Sequence, residues 1–407
     1  MHLVDYPESD RANELARKTR DLMDEVILPF ERDLGPGEAI SDSELESLRE
    51  AAKDYGVYCP QMPEEYGGMG ESFRDSLAVF EEAGQSLLGP PALRVDAPDE
   101  GNMHTIELAG TEAQKERWLP PLIEGEAKSA FSMTEPAPGG GSDPKMIKTT
   151  AEKDGDEWVI DGHKWWTSNG YEADVFLVMA RTDQDAHPYE GCSIFLVPAE
   201  ADGLELVRDV PSMDSSMLEV SHAEVRYDGV RVPEENILGA ENEGFQIAQR
   251  RLGPARLTHC MRFCGMADRA LAIARAYMQH RDAFGSSLAD KQSLRHKIAE
   301  QELALHTTRT TTRDAARRIS EGHQARIPVA MCKVKAARMV QEAVDLAIQC
   351  CGGAGLSRDL PLVDFYEGLR FFRIGDGADE VHLRSIAREA FEDEHVADAD
   401  LANLPEF

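Results

Sequence analysis

The fold class is decided by the stretch WVIDGHKWWT, residues 158–167. Its aromatic and β-branched residues are those that strands favour. An Asp-Gly pair between two such runs is a strong hairpin signal, so we expect a turn at Asp161-Gly162. Further strand-like runs lie at 175–180, 193–197, 204–208 and 222–225. All these runs together predict a β unit of about a hundred residues.

Helical periodicity flanks this β unit on both sides. Apolar residues recur at spacings of three and four, which predicts amphipathic helices. Gly89-Pro90-Pro91 and Pro120-Pro121 are expected to punctuate the helices. The predicted helices cover 12–26, 41–55, 72–85 and 110–123 before the β unit, and 245–281, 288–321, 327–349 and 381–393 after it.

The charge balance restricts the partners. The chain of 407 residues carries 75 acidic and 43 basic residues, a formal net charge of -32. Such a chain repels a polyanion, so we predict no nucleic-acid ligand. Self-repulsion destabilises a compact state unless salt screens it, and we therefore hypothesise a salt-adapted protein. The alternative is an ordinarily acidic protein.

The cysteines and the first residues bear on the compartment. Seven cysteines, an odd number without a paired framework, are typical of a reducing compartment. The first residues lack the order of a signal or transit peptide, and no apolar run approaches membrane-spanning length. A cytoplasmic location without a membrane span is predicted. Cys260 and Cys264 lie one helical turn apart and Cys350 and Cys351 are adjacent, but further ligands are lacking, so we favour core packing and predict no metal.

Several short signatures occur in order along the chain. The N-terminal part contains MPEEYGGMG at 62–70 and GTEAQK at 110–115. The β unit contains MTEPAPGGGSD at 133–143 and KWWTSN at 164–169, and it ends in VRVP at 230–233 with Asn236 and Gly239. The C-terminal part contains RDAFG at 281–285 and QCCGGAG at 349–355. In this order they resemble the acyl-CoA dehydrogenase family over nearly the whole chain.

The resemblance implies an α+β fold of three domains. These are an all-α N-terminal domain at 1–129, a flavin-binding middle β-barrel or sandwich domain at 130–239 and a C-terminal four-helix-bundle domain at 240–395, followed by an acidic tail at 396–407. It also implies FAD as the cofactor. A homodimer or homotetramer with FAD sites shared between subunits is implied as well.

The resemblance assigns cofactor binding to residues from all along the chain. An aromatic platform suits one face of the flat isoalloxazine ring. Neighbouring residues on a strand point to opposite faces, so at most one of Trp165 and Trp166 meets the ring, and the resemblance selects Trp166. Arg281 and Gly352-Gly353 are implied to reach the FAD of a neighbouring subunit. The implied cofactor-binding residues are Phe131, Met133, Thr134, Ser142, Trp166, Thr167, Ser168, Arg281, Phe284, Gln292, Gln349, Gly352, Gly353, Ala378 and Glu380.

The resemblance assigns the catalytic base to Asp376. Removal of an α proton from an acyl thioester needs a carboxylate over the α carbon. Many members of the family carry a Glu in a Tyr-Glu-Gly-Thr motif, where this chain reads IGDGA at 374–378. Other members place a Glu on a helix just before an Arg, where this chain has Ala255. Asp379 and Glu380 are nearby carboxylates for which an ordinary solvated-loop role is favoured.

Substrate-binding residues are implied in the same way. The alternative role for each arginine among them is a surface charge on a helix. We expect the helix to be interrupted at Gly253-Pro254, which favours a ligand-facing Arg256. The run that usually contacts phosphate is missing from 209–222, which reads MDSS at 213–216. The implied substrate-binding residues are Ser142, Arg256, Gly377 and Arg388.

The implied reaction is dehydrogenation of an acyl-CoA thioester between its α and β carbons, with electrons passed to an electron-transferring flavoprotein. RLGPAR at 251–256 with DGADEVH at 376–382 most resembles the subgroup of human-type members ten and eleven, which also place Asp at the base. That subgroup suggests medium to long, branched or hydroxylated acyl chains. One alternative is a flavin oxidase of the nitroalkane oxidase type. Another is a non-catalytic member, either an assembly factor or a DNA-binding repair protein.

Overall fold

The computed structural model describes residues 8–35, 37–213, 217–218 and 220–392. Helices form both ends of this part of the chain, and an eight-stranded sheet forms its middle. The predicted α+β class is confirmed. The tail at 396–407, and Asp214, Ser215 and Ser216 of the MDSS run, lie outside the described residues.

The N-terminal part is helical from Asp10. Two of its helices begin with capping boxes, in which Ser41 and Thr111 exchange hydrogen bonds with the residues three positions on. The helices are α1 (Asp10–Leu22), α2 (Leu28–Asp33), α3 (Asp42–Asp54), α4 (Phe73–Ala83), α5 (Gly89–Ala92), α6 (Asp99–Ala109) and α7 (Glu112–Glu124), with a π-helical turn at Met23–Ile27 between α1 and α2.

The prolines of this part do not act as the sequence suggests. Gly89-Pro90-Pro91 begins α5 instead of separating helices, because a proline in the first turn removes no intrahelical hydrogen bond. α7 continues through Pro120 and Pro121. The prediction that helices are separated at these two places is therefore wrong. The pattern of apolar residues also failed to predict α6. The polar residues of this helix are largely buried, so its sequence shows no apolar stripe.

The middle part forms one sheet. Its strands are β1 (Ser129–Ser132), β2 (Thr150–Asp154), β3 (Glu157–Ser168), β4 (Val175–Arg181), β5 (Cys192–Pro198), β6 (Leu204–Asp209), β7 (His222–Pro233) and β8 (Ile237–Leu238). They lie in the order β6-β7-β3-β2-β4-β5-β8, and β1 pairs in parallel with β4. β4 is buried on both faces, one against the helices and one inside the β unit.

The hairpin turn predicted at Asp161-Gly162 is wrong. β3 runs through both residues and pairs with β7, and a register shift between Ile160 and Gly162 marks a β-bulge there. The chain reverses earlier, between β2 and β3, where Gly155 has a φ of +67°. Bulges and tight turns both favour glycine, so the local pattern does not separate them.

The C-terminal part is helical. Its elements are α8 (Gly244–His280), β9 (Asp282–Ala283), β10 (Ser286–Ser287), α9 (Gln292–Ser320), α10 (Arg326–Cys351), α11 (Leu362–Leu369) and α12 (Asp379–Glu392). α8, α9 and α10 pack against one another and α12 packs on α10, which gives the expected four-helix bundle. α8 is continuous through Pro254, so the interruption predicted at Gly253-Pro254 is wrong.

In the part of the chain that the structure describes, no helix is both long and apolar enough to cross a bilayer. Over the same residues, no group of three or more His, Cys, Asp or Glu side chains is arranged to hold a metal ion. All seven cysteines are buried free thiols.

Candidate active site

The backbone at Asp376 is held from three helices. Arg256 on α8 donates from Nε to the Asp376 carbonyl oxygen at 2.9 Å. Nε2 of His382, on α12, lies 3.1 Å from the same oxygen. Lys333 on α10 donates from Nζ to the Gly377 carbonyl oxygen at 2.7 Å. Side chains that are far apart in sequence therefore fix this loop.

The backbone conformation of the loop is strained. Asp376 has a φ of +53°, in the left-handed region, which costs a non-glycine residue roughly 1 to 2 kcal/mol. Gly377 has a φ of +96°, and a Cβ there would lie 2.8 Å from Nε2 of His382. Glycine at this position therefore lets His382 approach the loop. Strain of this kind is typical of functional sites.

The Asp376 carboxylate is partly buried among positive groups. Its side chain is 23% exposed, so a ligand can reach it. Burial alone would raise the pKa of Asp376, but the surrounding groups hold it below its ordinary value. The carboxylate is therefore ionised at neutral pH, as a proton acceptor must be. His259 lowers the pKa only where its own ring is protonated, at about pH 3 and below, and the cations Arg256, Arg251 and Lys333 lower it at neutral pH as well.

A second buried carboxylate, Glu100 on α6, belongs to the same cluster. The Thr258 hydroxyl on α8 donates to Glu100 Oε2 at 3.3 Å. Burial raises the pKa of Glu100, and repulsion from Asp376 adds to the increase, while Arg262 and Arg251 oppose it. Two carboxylates whose pKa values are shifted in opposite directions thus lie near one set of arginines, a pattern found where acid and base roles are separated.

Arg251 links this cluster to the sheet. Its guanidinium is buried, and the guanidinium carbon lies 4.3 Å from the centroid of the Phe131 ring on β1. One Nη donates to Asn102 Oδ1 on α6 at 3.1 Å. Phe131, a predicted cofactor-binding residue, therefore lies beside the cations that surround Asp376.

Glu135 organises the Gly-rich loop predicted to approach the cofactor. Its carboxylate lies 2.9 Å from the Nζ of the buried Lys164. It also accepts from the backbone N–H groups of Gly140 at 3.1 Å, Lys148 at 2.7 Å and Thr149 at 2.9 Å. Burial alone would raise the pKa of Glu135, but Lys164 and the hydrogen bonds lower it to about 2. The carboxylate of Glu135, near the start of the loop, therefore holds the backbone of the residues that follow it in the loop and just beyond.

Lys164 and Trp165 of β3 hold the start of the same loop. Lys164 Nζ also donates to the Met133 carbonyl oxygen at 2.9 Å. The Trp165 N–H donates to the Thr134 carbonyl oxygen at 3.0 Å. Met133 and Thr134, both predicted cofactor-binding residues, are thus fixed against β3 through their main chain.

Trp166 projects from the sheet at a second bulge. The pairing of β3 with β7 shifts register between Lys164 and Thr167, and Trp166 has a φ of +56° and a side chain that is 42% exposed. The strict alternation assumed for Trp165 and Trp166 is wrong, because the bulge brings the two rings edge to face with centroids 5.9 Å apart. An exposed indole on a fixed backbone suits the face of a planar ring.

The hydroxyls predicted to face the cofactor differ in environment. Thr167 is buried, with Oγ1 at 3.2 Å from Ser132 Oγ. Ser168 Oγ lies 2.9 Å from Nδ1 of His222 on β7. Ser142, predicted for both cofactor and substrate, is exposed on the Gly-rich loop. The Thr167 hydroxyl is therefore engaged within the β unit.

The remaining predicted cofactor residues are mostly exposed on the C-terminal helices and their connections. The Phe284 side chain is 97% exposed. A Cβ placed on Gly352 or Gly353 would meet open space. An exposed ring and an open glycine backbone fit a large planar cofactor that carries phosphates. Of this group Ala378 is partly buried, and the exposed members are Arg281, Phe284, Gln292, Gln349, Gly352, Gly353 and Glu380.

The two arginines predicted to bind substrate are placed differently. Arg256 is partly buried and donates a hydrogen bond to the Asp376 carbonyl oxygen. Arg388 is exposed on α12, with Nε at 3.6 Å from Glu392 Oε1 one turn further along. The structure thus brings Arg256 to Asp376 and leaves Arg388 on the outside of the helix.

Sequence reasoning missed most of the side chains that surround Asp376. Lys333 carried a usable signal, since it lies in the buried stripe of α10 between Val329 and Ala337, where a charged residue is rare. The others gave no comparable signal. The missed residues are Glu100, Arg251, His259, Arg262, Lys333 and His382.

Comparison with known proteins identifies the family to which the three parts of the chain belong. Residues 9–126 match the acyl-CoA dehydrogenase N-terminal domain, residues 130–230 the middle domain and residues 242–391 the C-terminal domain. A solved structure of butyryl-CoA dehydrogenase from Megasphaera elsdenii has a TM-score of 0.82 and 27% identity, and the match covers 95% of this chain and 100% of that one.

Two relatives in sequence add to the comparison. The chain is 39% identical over 397 residues to "Probable acyl-CoA dehydrogenase FadE2" of Mycobacterium tuberculosis, a match that covers 95% of this chain and 96% of that protein. It is 37% identical over 399 residues to acyl-CoA dehydrogenase family member 11 of Gallus gallus, covering 94% of this chain but 51% of that protein. It thus spans about half the length of the second relative. The predicted resemblance is confirmed, and the chain belongs to the acyl-CoA dehydrogenase family of FAD-dependent oxidoreductases.

Proposed function

We propose that the chain removes hydrogen from the α and β carbons of an acyl-CoA thioester and yields the trans-2-enoyl-CoA, with Asp376 as the base. The observation that carries the proposal is a carboxylate that is reachable, ionised and held in a strained loop by three helices. Membership of the family supports the substrate class and the reaction.

In this proposal Asp376 accepts the α proton. The α C–H bond breaks, a carboxylate oxygen takes the proton, and the electron pair left on the α carbon forms the new double bond. FAD, when bound, supplies the acceptor for the hydrogen and electron pair that leave the β carbon. The negative charge that develops on the thioester oxygen needs a donor in place beforehand, and the family resemblance implies the main-chain N–H of Asp376.

The β unit and the C-terminal helices would hold the cofactor from different sides. The indole of Trp166 suits the isoalloxazine ring, because it is exposed on a bulge of β3. Met133 and Thr134 suit the same ring, because their main chain is fixed against β3. Arg281 and Gly352 are exposed, which supports a role at the FAD of a neighbouring subunit. We therefore include a homo-oligomer with shared sites in the proposal.

Electrons would leave through an electron-transferring flavoprotein. A reduced flavin covered by a bound thioester is shielded from water and oxygen, which favours a protein acceptor. Medium to long acyl chains, branched or hydroxylated, stay the predicted substrates, and the cytoplasm stays the predicted location.

An anaerobic titration of the purified, FAD-loaded chain with a panel of acyl-CoA thioesters tests the proposal. The flavin absorbance should bleach with thioesters of the preferred length, and the matching free acids should leave it unchanged. In a separate assay in air, hydrogen peroxide production without an acceptor protein, with O2 taking the electrons of the reduced flavin, would favour the oxidase alternative. A colourless protein that takes up no FAD would favour a non-catalytic member.

A further inference from the structure

His259 stands between the Asp376 carboxylate and a buried arginine. Its Nε2 lies 3.5 Å from Asp376 Oδ2. Its Nδ1 lies 2.8 Å from an Nη of Arg262, one turn further along α8. All three side chains are wholly or partly buried. The two ring nitrogens therefore face two different partners.

These partners fix which nitrogen of His259 carries the proton. An arginine N–H can only donate, so Nδ1 must accept from Arg262. Burial, with the Arg262 cation beside it, lowers the pKa of His259 to about 3, so the ring is neutral at neutral pH. A neutral imidazole has one N–H, which then lies on Nε2 and faces Asp376.

The imidazole is enclosed, so its orientation is set by its surroundings. The second Nη of Arg262 donates to the Val95 carbonyl oxygen, which fixes the arginine in turn. Packed aromatic rings oppose rotation of a side chain among them. Three rings surround the imidazole, with centroids 5.2 to 6.1 Å from its own: Phe263, Phe371 and Phe372.

We propose that His259 is a positioning residue, whose Nε2–H orients the Asp376 carboxylate toward the substrate and stabilises its ionised form, and that Arg262 sets the tautomer this requires. The inference rests on the proposed role of Asp376 as the base. At 3.5 Å the contact is longer than a hydrogen bond, and contacts of this kind often tighten when substrate binds.

No other described group takes this role. Arg256 and His382 bond to the Asp376 carbonyl oxygen and Lys333 to the next one. Arg251 bonds to Asn102, and Glu100 repels the carboxylate. Among the described Lys, Arg and His side chains, His259 is thus the only one with a nitrogen within 4.0 Å of a carboxylate oxygen of Asp376. The charged and titratable groups around Asp376 are Arg251, Arg256, His259, Cys260 and Arg262 on α8, Lys333 on α10, Asp379 and His382 on α12 and Glu100 on α6.

Stopped-flow flavin reduction over a range of pH tests the inference, using the FAD-loaded full chain and the acyl-CoA that reduces it best. His259→Leu fills the space without an N–H, and His259→Gln keeps an N–H at the end of the side chain. We expect the rate to fall about tenfold in His259→Leu, the effect of one hydrogen bond to a charged group. Its acid limb should move to higher pH, because the ionised carboxylate loses a donor, with KM little changed. His259→Gln should recover most of the rate.

An unchanged rate and pH profile in His259→Leu would overturn the inference. So would a His259→Gln variant that behaves like His259→Leu, since ring packing would then be what matters. A wild-type flavin that no acyl-CoA reduces would instead overturn the proposed function, so the two failures are distinct.

A measurement on the unaltered chain does not depend on the variants folding. The ¹⁵N shifts of His259 in the labelled holoenzyme should show a neutral ring protonated on Nε2 at neutral pH. Protonation on Nδ1, or on both nitrogens, would contradict the inference.

Discussion

The loop at Glu135 and the loop at Asp376 are both fixed by buried ionic groups, but in opposite ways. At Glu135 the carboxylate itself receives the bonds, from Lys164 and from backbone N–H groups. At Asp376 the cations bond to main-chain carbonyl oxygens, and among the described Lys, Arg and His side chains only His259, at 3.5 Å, has a nitrogen within 4.0 Å of the carboxylate. A carboxylate whose acceptor positions are occupied by donors holds the structure together. A carboxylate with open acceptor positions is available to take a proton.

Asp376→Asn should therefore separate chemistry from structure. The variant keeps the shape and the main-chain bonds of the loop but cannot accept a proton. We expect bound FAD and the melting temperature to be retained, and flavin reduction by acyl-CoA to fall by about 10² to 10⁴-fold. Asp54→Asn, at an exposed carboxylate on α3, is the matched control and should reduce its flavin at the wild-type rate. Turnover that survives in Asp376→Asn would exclude this residue as the base.

Glu135→Gln should show the opposite behaviour. It leaves Lys164 buried without its counter-charge, which typically costs about 3 to 5 kcal/mol. We expect a lower free energy of unfolding in urea and a loss of FAD retention. The double variant Glu135→Gln with Lys164→Met removes both charges and should recover much of the stability. Equal instability of the single and double variants would show that the ion pair is not what holds this loop.

The pH dependence should distinguish the two acidic groups of the base cluster. The positive groups around Asp376 hold its pKa below the ordinary value of 3.8, so the carboxylate of the free enzyme stays ionised as pH falls from about 7 to about 5. We expect kcat/KM for flavin reduction to stay level over that interval. A decrease in kcat/KM as the pH falls from about 6 to about 5 would contradict this expectation. If such a fall disappeared in Glu100→Gln, the titrating group would be Glu100, whose pKa is raised by burial.

Salt should affect the exposed charges more than either loop, because buried pairs are screened less. With a net charge of -32, the chain should gain stability from low to molar KCl. We expect a gain on the order of 1 kcal/mol, the size of one exposed charge pair, by thermal or urea unfolding. An uncharged osmolyte is the control for general exclusion effects. A stability that does not rise with KCl would reject salt adaptation.

The sequence predicts the cofactor side better than the base side. Thr134, Glu135 and Lys164 belong to short contiguous signatures, and the partners described for them all lie between residues 133 and 165. The base cluster is assembled from α6, α8, α10 and α12, which are widely separated along the chain. Asp376 is predicted because its segment keeps register with a family motif, whereas nothing in the sequence distinguishes His259 from an ordinary residue of a helix.

The errors in the fold prediction have local physical causes. Asp161-Gly162 was predicted to be a turn because a bulge also needs glycine's freedom, and only the pairing of β3 with β7 decides between them. Pro254 was predicted to interrupt α8, but the packing of that helix against its neighbours overrides the lost hydrogen bond. α6 was missed because its own buried residues are largely polar, so burial left no periodic pattern of apolar residues in the sequence.

The ion pair between Glu135 and Lys164 also restricts which sequence changes the protein can tolerate during evolution. A change at 135 alone leaves the Lys164 ammonium without a counter-charge in the core, and a change at 164 alone leaves the carboxylate without its cation. Either first step is expected to destabilise the fold, because it leaves one buried charge unpaired. Positions 135 and 164 should therefore be inherited as a pair, and descendants that lose one should carry a compensating change at the other.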